Sequence, residues 1–180
     1  MRNWIAALLG VLVAWVAGAA DWPAYYGDAD RTGVAGDSLS TPLYLAWTYE
    51  ARHAPSPAFR EGLSRWLERR GKPFQSITYD YAYHPVIADG RLYFGSSTEE
   101  AVFCLDADTG ELIWRHQVEG AVRHAPTLWR GKVYFGSDDG FVYCVDGESG
   151  GLQWRLRAAP GERRCIGNER LVAVWSVRTS

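Results

Sequence analysis

Methionine occurs once and cysteine three times in this chain of 180 residues. Three is an odd number, so the paired disulfide framework common in small exported proteins does not fit. There is no Cys-x-x-Cys, no Cys/His pair at zinc spacing and no two adjacent cysteines, which removes the usual structural zinc sites. Nineteen Lys and Arg against 21 Asp and Glu leave a formal net charge of −2. No basic field therefore exists to hold a polyphosphate backbone, and nucleic acid is excluded as a partner class. The P-loop, the dinucleotide-binding fingerprint and the nucleophile elbow are absent as well. After residue 16 no apolar run approaches the roughly 20 residues of a membrane-spanning helix, so the chain is not expected to be an integral membrane protein.

What is present begins with a segment unlike the rest. Arg2 precedes an apolar run from Trp4 to Val16, followed by Ala17-Gly18-Ala19-Ala20. A charged start, a short apolar middle and small residues at the −3 and −1 positions (Ala17 and Ala19, or Gly18 and Ala20) predict a signal peptide over residues 1–20, with an uncleaved anchor as the alternative. No Cys follows the run, which rules out a bacterial lipid anchor at that point. The chain is therefore expected to be exported, to the periplasm or beyond. Aromatics are abundant, at nine Trp, ten Tyr and six Phe, so any core must pack large flat rings.

The dominant feature is a repeat. CLDADTGELIW (104–114) returns as CVDGESGGLQW (144–154), and HPVIADGRLYFGS (84–96) returns as APTLWRGKVYFGS (125–137). The offset is 41 from Pro85/Pro126 through Gly95/Gly136 and 40 from Cys104/Cys144 through Trp114/Trp154. One residue is lost between preserved apolar runs, in a polar loop, as expected of structural repeats. Each unit reads as four short strands separated by turn signals; in the second they are APTLWR, KVYFGS, GFVYCVD and GLQWRLRA. A period near forty with four strands per unit predicts a β-propeller, built of small sheets stacked around an axis. In each outer turn an Asp (Asp106, Asp146) can accept from the following backbone N–H groups, and a Gly (Gly110, Gly150) supplies positive φ. The turn sets the register that projects Trp114 and Trp154 toward the adjoining unit. Asp106, Thr109, Gly110, Trp114, Asp146, Gly150 and Trp154 are accordingly read as structural, and Cys104 and Cys144 as small buried apolar groups.

These residues resemble the outer-turn pattern Ala-x-Asp-x-x-Thr-Gly-x-x-x-Trp of the PQQ-like, quinoprotein-type propeller family. The first copy keeps Asp106, Thr109, Gly110 and Trp114, with Cys104 in place of Ala; the second keeps Asp146, Gly150 and Trp154, with Cys144 for Ala and Ser149 for Thr. DWPAYYGDADRTGVA (21–35) is similar to the segment that opens many exported members, and TPLYLAWTYE (41–50) resembles a lone outer strand with Trp47 at the docking position. The resemblance implies an all-β, partial β-propeller. Its expected parts are an amino-terminal segment at 21–50, an insertion at 51–76, complete four-stranded blades at 77–121 and 122–162, and the start of another blade at 163–180. A closed ring of seven or eight blades needs on the order of 300 residues at about 40 each. The sequence is therefore expected to be the amino-terminal part of a larger propeller, with the remaining blades supplied by a longer chain; a ring completed by oligomerisation is the alternative.

The insertion contains one predicted amphipathic helix over 56–71, with Ser56-Pro57 as its start, Phe59, Leu63, Trp66 and Leu67 on one face and Gly71 as its stop. Of four histidines, His53, His84 and His124 precede Pro directly or after one Ala; such positions mark strand starts and no metal site is expected from them. In register, His124 corresponds to Tyr83 at the mouth of the innermost strand, facing the axis of a propeller. Tyr83, Arg123 and His124 are thus the candidate ligand-contacting residues. Asp80 and Glu99 are read as solvated turn carboxylates. The resemblance implies two functional classes. One is a scaffold or binding module of the cell envelope, with a protein partner and no catalytic residues in this chain. The other is the amino-terminal part of a periplasmic dehydrogenase dependent on PQQ and calcium, whose ligand set is not found among these residues.

Overall fold

The computed structural model describes residues 20–39, 41–58, 70–71, 82–167 and 170–178. The predicted signal segment up to residue 19, and the body of the predicted helix with Phe59, Leu63, Trp66 and Leu67, lie outside the described residues. Two four-stranded antiparallel sheets dominate. The first, blade 1, has the order β1 (Val86–Ala88), β2 (Arg91–Ser96), β3 (Ala101–Asp106) and β4 (Leu112–Gln117). The second, blade 2, repeats it with β5 (Thr127–Trp129), β6 (Lys132–Gly136), β7 (Phe141–Asp146) and β8 (Leu152–Arg157). Both sheets meander in sequence order, as the evenly spaced turn signals require. A two-stranded hairpin follows, β9 (Arg164–Gly167) with β10 (Arg170–Ala173).

The first turn of each sheet shows why the copies share a register. Asp89 and Gly90 have φ of 51° and 69°, and Arg130 and Gly131 have 49° and 69°. Two consecutive positive φ values match the twist of a tight two-residue hairpin. Each sheet also carries a register shift at the same point, between Cys104 and Leu105 and between Cys144 and Val145. Such irregularities sharpen the local twist, and here they place Trp114 opposite Cys104 and Trp154 opposite Cys144.

The main core lies between the sheets. Tyr93, Cys104 and Trp114 of blade 1 face Val133, Phe135, Tyr143 and Val145 of blade 2. A second cluster covers the other side of blade 1, where Phe94, Phe103 and Leu105 meet Trp47, Tyr49 and Tyr83. Stacked ring pairs recur at equivalent places, Phe94 on Phe103 and Phe135 on Tyr143, each with centroids 5.2 Å apart. Residues 43–50 form no strand ladder; Leu43, Tyr44 and Leu45 are exposed while Trp47 and Tyr49 pack against blade 1.

The edges nearest the axis are tied together by the amino-terminal segment. Trp22 exchanges both backbone hydrogen bonds with Ile87 of β1, at 2.7 and 3.0 Å, and the Pro23 carbonyl accepts from the Leu128 N–H of β5 at 2.8 Å. Covering an edge in this way satisfies backbone groups that would otherwise invite further pairing.

Residues 158–167 and 170–178 follow a register of their own. Val122 leads into β5; its N–H donates to Ser96 O at 3.3 Å, and a Cβ built on Gly95 would meet its side chain at 2.4 Å. Val177 repeats both contacts one blade later, with Ser137 O at 3.1 Å and Gly136 at 2.6 Å. Val177 and Arg178 thus stand where Val122 and Arg123 stand, at the point leading into an innermost strand. The hairpin β9–β10 precedes that point, so it belongs to the connector. It folds back onto blade 1 and the connector between the sheets: the Arg170 guanidinium donates to Thr98 O and Glu100 Oε1, each at 2.9 Å, and Arg164 pairs with Glu119 at 2.7 Å.

Candidate functional site

The most organised polar chemistry lies at the junction between sheets. Asp106 Oδ1 accepts from the N–H groups of Asp108 and Thr109 at 3.0 and 2.8 Å and from the Thr109 hydroxyl at 3.0 Å. Asp146 Oδ1 does the same with Glu148, Ser149 and the Ser149 hydroxyl at 3.2, 2.9 and 2.7 Å. These donors hold both carboxyls below the ordinary carboxylate range, led by the Thr109 N–H for Asp106 and by the Ser149 hydroxyl for Asp146. Ser therefore substitutes for Thr without losing the hydroxyl contact.

Each turn receives an indole from the preceding segment. Trp47 Nε1 donates to Ala107 O at 2.9 Å, and Trp114 Nε1 donates to Gly147 O at 3.0 Å. The ring lies on the turn glycine: a Cβ on Gly110 would stand 2.6 Å from Trp47, and one on Gly150 would stand 2.6 Å from Trp114. Gly110 (φ 74°) and Gly150 (φ 70°) are thus constrained twice, by backbone conformation and by the ring. The sequence signals the first constraint only. Gly147 O also accepts from Arg91 Nη1 and from the Tyr93 hydroxyl, both at 3.2 Å. Three donors of blade 1 thus converge on one carbonyl of blade 2. Beneath them Cys104 is fully buried, and burial pushes its thiol up to about 11; Cys144 is equally buried and Cys165 is exposed.

The residues nominated for ligand contact sit elsewhere. Tyr83 packs edge-on against Phe94, with centroids 5.0 Å apart, and burial raises its phenol above the ordinary range. Arg123 is buried: its Nε meets Asp138 Oδ2 at 2.7 Å and its Nη1 donates to Ser56 O at 2.6 Å. Tyr83 and Arg123 line one shallow recess with Pro55, Gly95 and Ser97, and His124 is not part of that lining. Asp138, fully buried, is shared, because Arg178 Nε reaches its other oxygen at 2.9 Å. This triad joins blade 2 to both connectors, and nothing in the local sequence pattern announced it. The neighbouring Asp139 also lies inside, accepting from Phe141 N–H at 3.0 Å and from the Tyr143 hydroxyl at 2.6 Å.

Both oxygens of Asp138 are held by guanidinium groups, and no three His, Cys, Asp or Glu among the described residues are placed to hold a metal ion. A larger groove of about 570 Å³ opens on the turn side between the sheets, lined by Asp89, Arg91, Trp129, Arg130 and Glu148 among others. There the Arg130 guanidinium covers the Trp129 ring at 4.2 Å.

A family model described as outer membrane protein assembly factor BamB matches residues 46–175. No curated protein matches the chain. Among solved structures it is similar to quinohemoprotein alcohol dehydrogenase from Comamonas testosteroni, at 24% identity and a TM-score of 0.55, over 78% of this chain and 20% of that one. It is also similar to quinohemoprotein alcohol dehydrogenase ADHIIG from Pseudomonas putida HK5, at 26% identity and a TM-score of 0.40, over 47% of this chain and 14% of that one. A third is BamB from Moraxella catarrhalis, at 21% identity and a TM-score of 0.38, over 41% of this chain and 22% of that one. The Comamonas likeness shows the shared propeller fold. The chain spans between 14% and 22% of the length of these three structures.

Proposed function

The chain belongs to the BamB-type PQQ-like repeat family, whose model it matches over residues 46–175, and from that premise we propose that it is an exported scaffold or binding module of the cell envelope. One observation carries the reading. Large apolar side chains are exposed on the hairpin and just after it: Ile166, Leu171, Val174 and Trp175. Ile166 and Leu171 are direct cross-strand partners. Exposed apolar groups of this kind favour contact with another macromolecule, whereas the charged groups Arg123, Asp138 and Arg178 are engaged with one another. Within this reading Asp106, Thr109, Gly110 and Trp114, with Asp146, Gly150 and Trp154, serve the stacking of sheets and take no part in chemistry. The predicted signal segment and the outer membrane assembly role named in the family description support export.

The test places a photo-crosslinking amino acid at Leu171 in the full chain, expressed with its own amino terminus in a Gram-negative host. The expected result is a discrete adduct with one envelope protein, recovered from the periplasmic or membrane fraction and absent when the probe stands at Glu111 on the opposite turn. Cytoplasmic retention of the chain overturns the reading. So does saturable, calcium-dependent binding of PQQ in the absence of any adduct, which selects the dehydrogenase alternative.

A further inference from the structure

The two sheets part company at an arginine of the outer strand. In blade 1 the Arg115 guanidinium lies over Phe103 at 5.4 Å, stands 3.7 Å from Glu99 Oε2 and donates to Gln117 Oε1 at 2.6 Å. Blade 2 keeps the arginine, as Arg155, and changes its neighbours at an offset of 40: Asp139 for Glu99, Phe141 for Ala101 and Arg157 for Gln117. Asp139 is buried and already occupied, accepting from the Phe141 N–H at 3.0 Å and from the Tyr143 hydroxyl at 2.6 Å. Arg155 is left with no carboxylate at ion-pair distance among the described residues. It lies over the Phe141 ring at 4.9 Å, and Arg157 lies over the same ring at 4.8 Å. Both open into a recess of about 210 Å³, where Arg164 of β9 joins them from the hairpin. The Glu119 carboxyl beside them is held low first by Arg164 and in addition by Arg155.

We propose that Arg155, Arg157 and Arg164 form a binding site for one phosphate group with three free oxygens, carried by a small phosphate ester or by a lipid headgroup. Three guanidinium groups in one recess repel one another and favour a multiply charged anion between them. The planar guanidinium fork also matches phosphate oxygens in pairs. Volume limits the ligand, because the recess is smaller than the roughly 300–1,000 Å³ of pockets that enclose drug-sized molecules. The bordering carboxylates leave the anion its place. Glu162 holds Arg157 and Glu119 holds Arg164, each at 2.7 Å, through side chains 83% and 62% exposed; ion pairs so open to water are weak enough for a dianion to displace. The site does not lie on the face where a further sheet would stack. Arg155 is the ladder partner of Tyr143, directly paired side chains share a face, and Tyr143 belongs to the core shared with blade 1.

The test titrates the full chain, labelled with ¹⁵N at its arginines, with inorganic phosphate while chloride keeps the ionic strength constant. The expected result is saturable movement of the Arg155 Nε–H signal, assigned through Arg155→Gln. That variant should weaken phosphate binding about tenfold or more, the worth of one charge-assisted hydrogen bond. Glu162→Gln, which releases Arg157, should tighten it about two- to fivefold, a gain that misfolding cannot produce. Vesicles of phosphatidic acid, set against phosphatidylcholine, identify the source: sedimentation with the former that Arg155→Gln abolishes assigns a lipid headgroup, and phosphate binding without it assigns a soluble ester. No saturable binding of phosphate, equal binding by Arg155→Gln, or weaker binding by Glu162→Gln would each overturn the proposal. The titration needs neither export nor an envelope partner, so it fails or succeeds separately from the crosslinking at Leu171.

Discussion

Replacing Gly150 by Ala tests the stacking of sheets more sharply than removing the indole itself, because the chain supplies its own control. Gly131 and Gly150 have nearly the same backbone conformation, φ 69° and 70°, but a Cβ on Gly131 meets nothing within 4 Å, whereas one on Gly150 stands 2.6 Å from the Trp114 ring. Gly131→Ala therefore costs only the left-handed penalty of about 1–2 kcal/mol. Gly150→Ala bears the same penalty and must also lift an indole that is 8% exposed; overpacking of that kind adds roughly 1–3 kcal/mol. The expected totals are about 1–2 and about 2–5 kcal/mol. In a Trp114→Ala background, itself costing about 3–5 kcal/mol, the ring is gone and the Gly150→Ala step should fall back to the Gly131 value, a coupling of about 2 kcal/mol. Urea unfolding followed by far-ultraviolet circular dichroism reads all of these without relying on tryptophan emission. Equal costs at the two glycines, or an undiminished cost at Gly150 once the indole is removed, would refute the reasoning.

Two further outcomes follow from the polar groups. Asp138→Ala takes the carboxylate from Arg123, whose side chain is 4% exposed, and should cost about 3–5 kcal/mol; Arg178→Ala, at a side chain 28% exposed, should cost clearly less, both read as shifts in melting temperature. Asp106 and Asp146 titrate below the ordinary range in the folded chain, so their contribution is fully present above about pH 4 and is lost as the pH falls through the lowered values. The melting temperature of Asp106→Asn/Asp146→Asn should therefore change less between about pH 5 and pH 2 than that of the parent chain, and an identical acid limb would show that the turns contribute nothing.

The strands and their turns were legible because they are local. Alternation in KVYFG, the Asp-Gly and Arg-Gly pairs and the recurring Asp, Gly and Trp positions each act within a few residues, and two copies at a fixed offset remove most of the ambiguity. Contacts between distant residues left no such trace. Nothing near Gly150 says that Trp114 lies on it, and nothing near Asp138 says that Arg123 and Arg178 meet there. The segment at 170–178 reads as an ordinary apolar strand pattern; only the contacts of Val177 with Gly136 and Ser137 reveal that it takes the place Val122 holds one blade earlier. Tyr83 and Arg123 were nominated because register places them toward the axis. That placement says nothing of their neighbours, which are Phe94 for one and Asp138 for the other.

The fold-back of β9–β10 has a mechanical consequence. Arg170 fastens onto Glu100 across 70 residues of sequence, so a late-synthesised arm bolts shut a sheet made early. A chain synthesised in order cannot close that contact until both sheets have been made. With side chains 31% and 32% exposed, the pair adds at most about 1 kcal/mol, so the arm seats late without deciding whether the sheets stay together.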